Sequence, residues 1–432
     1  MFSKCVSTFL KKVFRVIFMI ILKMCSGVGS DSDQFLYTFK AFQFDKIIPS
    51  AGSKQPVPRS GHRIGADSSN FYSFGGYNPL VRGEVEQNDD DDFWVQSFPL
   101  FQELWKFNFA SKRWTRFRNS ESLPMELASN ALILHGNILM VYICVYGGTG
   151  SPFGIRSSNQ LYVCKVTEPN GLMVEVHTTG QLPLPLYGQA VVLHNDYLYT
   201  IGGTTGLSYT CDIHRLNLKT MNWEVTYLCN GRGEYEPKGR YRHEVGFDGR
   251  NIYVFGGGTT DEAYGFEYIP TFDTHSSVWF RQNTLRDSRK GYPKPRRCHG
   301  AVQVEINHGV QVFITGGHDG ENIFNDLWRL DLKTYQWTYF SNCQLPQPTY
   351  FHATAVTPEG KLYVFGGNYS IEDDVRRSSA VYSTWLCIPK LSEICWEAVL
   401  HYSPHITECD SNDLINIGLP RHFVLRLGNV NK

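Results

Sequence analysis

The sequence predicts an all-β protein, a six-bladed β-propeller followed by a short C-terminal α-helical tail. Three observations lead there. A Gly-Gly pair ends an apolar-aromatic run six times, tryptophan and Arg/His markers keep phase with those pairs, and a helical period appears only after residue 388. An aromatic share of 14% and 39 glycines in 432 residues suit short strands joined by tight turns.

The glycine copies are Tyr72-Ser73-Phe74-Gly75-Gly76, Val145-Tyr146-Gly147-Gly148, Tyr199-Thr200-Ile201-Gly202-Gly203, Tyr253-Val254-Phe255-Gly256-Gly257, Phe313-Ile314-Thr315-Gly316-Gly317 and Tyr363-Val364-Phe365-Gly366-Gly367. Their first glycines stand 72, 55, 54, 60 and 50 residues apart. Ahead of several pairs a strand opens on Arg or His, as in Pro58-Arg59-Ser60-Gly61-His62, Gly239-Arg240-Tyr241-Arg242-His243, Pro295-Arg296-Arg297-Cys298-His299 and Thr349-Tyr350-Phe351-His352. Behind the pairs come polar-aromatic strands with Trp105 or Trp328, then Trp114 or Trp337 nine residues on, with Trp223 and Trp279 equivalent in blades three and four. One such unit cannot bury its own face, whereas six in a ring leave only short, protected edges.

These features resemble the kelch-repeat family over residues 35–388, which implies a six-bladed kelch β-propeller. Blade two departs from the pattern: its second strand is about four residues longer, which calls for a bulge, and Met173-Val174-Glu175-Val176 stands where a tryptophan is expected. Blade one carries an acidic insertion at 88–92, read as a solvated loop. Blade six supplies three strands, and the alternating segment 35–44 is expected to complete it.

Residues 1–34 read as a poorly ordered leader. Lys4, Lys11, Lys12 and Arg15 precede only seven apolar residues, too few to span a bilayer. A signal peptide cleaved near Cys25 and Gly27, which would make the protein secreted, and a membrane-surface helix are the other readings. Lys plus Arg equals Asp plus Glu at 41 each, so neither a nucleic-acid nor a membrane-coating footprint is expected. Eleven scattered cysteines without a C-x-x-C pair fit reduced thiols in cytoplasm or nucleus, and no metal site.

In the tail, 389–402 read as a helix with Pro389 in its first turn and Leu391, Cys395, Ala398 and Val399 on one stripe. A second apolar piece contains Leu419-Pro420-Arg421-His422-Phe423. Together these are similar to the paired boxes of cullin-2 substrate receptors. The resemblance implies that Leu391, Cys395 and Val399 dock Elongin C of the Elongin B/C pair. It also implies that Leu419, Pro420 and Phe423 select cullin-2 with its RING subunit, so that 389–432 form the adaptor tail. The alternative is that Trp396 is a fourth-strand tryptophan and the tail is propeller packing.

In kelch rings one end of the channel is lined by the starts of the inner strands and by the loops after the diglycines. Arg59, Arg240, Arg242, Arg296 and Arg297 stand there, and a guanidinium fork suits a carboxylate. The resemblance implies protein substrates held through their C-termini, with Tyr187 and Tyr350 walling the pocket. The alternative for each arginine is a bond to a neighbouring carbonyl or acid. His62, His243, His299 and His352 recur at one phase, which points to packing rather than metal. With no P-loop, G-x-S-x-G, H-E-x-x-H or dinucleotide fingerprint, no catalytic residue or cofactor is expected. The function expected is recognition within a ubiquitin ligase, or otherwise a kelch scaffold for a signalling enzyme or the cytoskeleton.

Overall fold

The computed structural model describes residues 36–80, 100–117, 123–125, 128–136, 141–150, 153–167, 171–371 and 375–428. The leader and the acidic insertion of blade one lie outside them. Six antiparallel sheets form, one for each diglycine. Their innermost strands are Arg63–Ala66, Ala131–Gly136, Ala190–His194, Glu244–Phe247, Gly300–Ile306 and Ala353–Val356, each adjoining the next and the last adjoining the first. Blade three gains a fifth strand, Thr179–Gly180, parallel to Asn222–Tyr227.

The ring closes through hydrogen bonds as well as packing. Just before each innermost strand, a backbone N–H donates to the carbonyl of the equivalent residue in the preceding blade. The bonds run Gly61 to Phe351, Phe351 to Cys298, Cys298 to Arg242, Arg242 to Gly188, Gly188 to Ser129 and Ser129 to Gly61, all 2.7–3.1 Å. All six residues have positive φ, between 52° and 71°. Four of them are not glycine, so strain at this ring is accepted for closure.

The recurrent histidines explain the diglycines. His62, His243, His299 and His352 are buried, and each ring lies against the first glycine of the preceding pair. A Cβ on Gly366 would lie 2.5 Å from His62 Cε1, and one on Gly202 would lie 2.9 Å from His243 Cε1. Both glycines also have φ above 60°. The His62 Nε2 bonds the Phe365 carbonyl at 3.1 Å. Burial holds all four imidazoles far below their ordinary pKa, His243 and His352 at about 3.

Between blades, aromatic side chains fill the core. Phe71, Phe107 and Trp114 of blade one meet Tyr363 and Phe365 of blade six, while Phe255 and Phe266 of blade four meet Trp328 and Trp337 of blade five.

Three expectations need correction. In blade two, no bulge falls between the first two strands: Ala131–Gly136 pairs with 141–146 in unbroken register, and the register shift, against the third strand, falls at the diglycine, as in blade three. The strand that completes blade six is Asp45–Ile47, paired with Val381–Ser383; within 36–44 only Ala41 bridges it. The thiols are not all reduced, because Cys211 and Cys229 are disulfide-bonded with Cα atoms 5.9 Å apart. Ile213 faces Tyr227 in that hairpin, so the continued register brings Cys211 opposite Cys229. Glu236 lies near both sulfurs but accepts from the Tyr227 hydroxyl and two loop amides.

The tail is helical: α1 (Leu391–Tyr402), a 3-10 turn at Pro404–Glu408, α2 (Ser411–Asn416) and α3 (Arg421–Val424). Pro389 precedes α1 rather than starting it, since Lys390 is the N-cap with ψ 144°. Asp410 caps α2 through the amides of Asn412 and Asp413. No helix among the described residues is long and apolar enough to cross a membrane.

Candidate functional site

The three arginines that open blades one, four and five share one buried pose. Nε donates to the carbonyl two residues back, Nη1 donates to the first diglycine carbonyl, and the plane stacks on Phe101, Tyr264 or Phe324 at 4.3–4.5 Å. In blade one Nη2 of Arg59 meets Glu103 at 2.6 Å; in blade five Arg296 grips both oxygens of Asp326 at 2.5 and 2.9 Å. The same carboxylates accept from the indoles of Trp105 and Trp328 at 2.7 Å. Arg59 and Arg296 are therefore structural, each closing a blade, and not ligand contacts. Arg240 has the same pose without a carboxylate.

Arg242 and Arg297 are buried at the channel mouth. Arg242 crosses to the Ser129 hydroxyl and stacks on Phe351, while Arg297 donates to the Thr259 carbonyl. Their Nε atoms are buried without a partner. Tyr350 is buried, with its hydroxyl on the Ser370 carbonyl, and Tyr187 is half-buried beside Tyr241.

Several rim residues went unread in the sequence. Tyr241 holds the repeat position of Tyr187 and Tyr350, two before the conserved-phase His or Gln, and stacks near Tyr209. Tyr77 and His318 directly follow diglycines; Arg377 lies 5.2 Å over the Tyr77 ring and donates to Ser60 Oγ. Position after the pair was the available signal. Below the mouth, Arg63 of blade one and Glu244 of blade four form a 2.6 Å ion pair across the channel, between blades that stand opposite in the ring. Ala131, Ala190, Gly300 and Ala353 share their level and leave space for it.

The tail sits on the seam between blades one and six. Glu397 of α1 accepts from Tyr37 Oη at 2.9 Å and Trp385 Nε1 at 3.1 Å, and pairs with Lys361. The Lys361 ion pair and those hydrogen bonds hold its carboxyl below the ordinary range against burial, while burial first and then the Glu397 charge push the Tyr37 phenol up. Arg426 joins Glu393 and Glu359, both at 2.6 Å. Trp396 stacks on Phe423 at 4.9 Å within a separate core of Ile406, Leu414, Leu419, Val424 and Leu427. Trp396 is thus helical, not a fourth-strand residue.

Along α1, Leu391 is 57% exposed, Cys395 is half-buried, and Val399 turns partly toward the tail core. Pro420 is half-buried, but Leu419 and Phe423 lie inside that core. A contact role for those two is corrected to a packing role: their side chains are what the tail helices close upon.

A closed ring of six sheets, with the inner strands of three blades opening on Arg-x-x-His and all six second strands ending on Gly-Gly, is a kelch propeller. The chain belongs to the kelch-repeat family. It matches the KLHDC2/KLHL20/DRC7 Kelch-repeats domain over residues 26–203 and 208–403 and the Kelch motif over 185–225. It is 40% identical to the Kelch domain-containing protein 10 homolog of Drosophila melanogaster, over 89% of this chain and 63% of that protein. It is 40% identical to Kelch domain-containing protein 10 of Xenopus tropicalis, over 87% of both chains. The Homo sapiens protein of that name is 38% identical over 87% of this chain and 81% of its own length.

Proposed function

We propose that this protein is the substrate receptor of a cullin-2 ubiquitin ligase, with the rim holding a protein C-terminus and α1 recruiting Elongin B/C. The observation that carries the reading is the pose of α1. Its Glu397 and Trp396 anchor it to blade six and the tail core, while Leu391 faces solvent. A leucine exposed on an anchored helix suits insertion into a partner's pocket. At the rim, Arg242, Arg297 and Arg377 have no ion-pair partner among the described residues and lie among half-buried tyrosines, a setting that suits a terminal carboxylate. The receptor itself would make or break no bond.

Copurification tests the tail: wild type retains Elongin C, and Leu391→Ala with Cys395→Ala loses it. Peptides differing only by C-terminal amidation test the rim, and equal binding would reject the carboxylate reading. The second reading, a kelch scaffold outside the ubiquitin system, is favoured by the burial of Leu419 and Phe423. Retention of Elongin C by the double variant would support it.

A further inference from the structure

Blade four lacks the acid that neutralises its own arginine. Gly75 N–H donates to the Glu103 carbonyl and Gly316 N–H to the Asp326 carbonyl, so the acids of blades one and five stand opposite the first glycine of the pair. Blade four pairs Tyr253 with Thr271, and the same register puts Tyr268 opposite Gly256. Tyr268 thus replaces the acid, and Pro270 replaces the tryptophan that shares it in the other two blades. Proline removes a ladder donor, and this ladder stops at three pairs where blades one and five make five.

A groove of about 620 Å³ opens there, lined by Arg240, Tyr264, Tyr268, Pro270 and the two connectors flanking the blade. Arg240 is 5% exposed, and its Nη2, the atom that holds Glu103 or Asp326 in the sister positions, makes no hydrogen bond among the described residues. The groove's acids do not fill the gap: Glu262 is held by Lys238 at 3.0 Å, Glu236 by its loop, and Glu267 is exposed and makes no bond to Arg240 among the described residues. Around the lip stand Arg281, Lys290 and Lys294, exposed and without carboxylate partners among the described residues, and Tyr268, 43% exposed under the Arg281 guanidinium. Five cations (Lys238, Arg240, Arg281, Lys290 and Lys294) and three acids (Glu236, Glu262 and Glu267) line the groove, a local positive excess in a chain that is neutral as a whole.

We propose that the blade-four groove binds an internal acidic side chain of a partner polypeptide. Its carboxylate takes the place at Arg240 Nη2 that Glu103 and Asp326 occupy in blades one and five. The cations on the lip receive further acidic residues on either side, and the tyrosines stack on the chain between them. The proposal rests on the rim being the recognition face, but it needs neither a free C-terminus nor the tail.

The test uses the full chain and a fluorescent dodecapeptide of alternating glutamate and tyrosine, acetylated and amidated so that no terminal charge remains. Fluorescence anisotropy is expected to show binding that its glutamine counterpart lacks. Tyr268→Glu, which restores the missing acid, should weaken it tenfold or more and raise the melting temperature. Arg281→Gln with Lys294→Gln should weaken binding without that rise. No binding by the wild type, or equal binding by Tyr268→Glu, would overturn the proposal. If amidation proves irrelevant at the channel mouth while the capped peptide still depends on position 268, the C-terminal reading fails and this one stands.

Discussion

The Gly61 amide donates to the Phe351 carbonyl at 3.1 Å, one of the bonds that join the first blade to the last. Beside it, Gly367 N–H donates to the Arg59 carbonyl and the His62 ring rests on Gly366. The seam is therefore built from the same parts as every other blade junction, and its strength should depend on the same residues.

Gly366→Ala places a methyl against His62 in a backbone region that L-residues avoid, so a loss of about 2–4 kcal/mol is expected in urea unfolding. Gly52→Ala shares the positive φ but has open space around it. It should cost about 1 kcal/mol. Equal losses would show that contact with histidine plays no part.

Acid should weaken the ring. The four imidazoles remain neutral when folded but take a proton near pH 6.5 when unfolded. Stability is thus fully present above pH 6.5 and falls as the pH drops toward 3, each histidine contributing up to about 1.4 kcal/mol per pH unit. Blade three already uses Gln189 at this position. His243→Gln should therefore flatten the dependence of the urea midpoint between pH 7 and 5 by about one proton's worth. An unchanged slope would contradict the buried neutral state.

Arginines at the rim should divide into two groups. Arg296→Gln leaves the half-buried Asp326 without its guanidinium partner and should cost about 3 kcal/mol. Arg377→Gln removes a half-buried group with one side-chain hydrogen bond, to Ser60, and a stacking contact with Tyr77. Its cost should stay under about 1.5 kcal/mol, with tenfold weaker binding of peptides that have a free C-terminus. Comparing melting curves and peptide titrations for both variants checks the division.

Glu397→Gln should loosen α1 from blade six by breaking the Lys361 pair and weakening two hydrogen bonds. Hydrogen exchange is expected to rise across 391–402 and stay low in blades two to five. Leu391→Ala, a solvent-facing change, should leave that exchange pattern as it is.

Much of the ring could be read in the chain, because diglycine, histidine and tryptophan recur at one phase and each has a fixed place in the packing. Arg59 and Arg296 could be located from sequence, but their partners could not be assigned. An acid two residues before a strand tryptophan is unremarkable until the register puts it under a guanidinium. The tail shows the same limit. A Leu-Pro-x-x-aromatic element fits a partner's groove or a helix-helix core equally well, and nothing in the sequence announces that Phe423 stacks on Trp396. Cys211 and Cys229 come together because one hairpin continues two residues past its last paired rung.

The pairing of Asp45–Ile47 with Val381–Ser383 has a consequence for biosynthesis. The early strand leaves the ribosome roughly 330 residues before its neighbour exists, a delay of about 15–70 s at ordinary translation speeds. During that interval five blades can form while the first stands open at one side. A nascent chain of this architecture needs either a holding chaperone or a slow, reversible search by its own leading end.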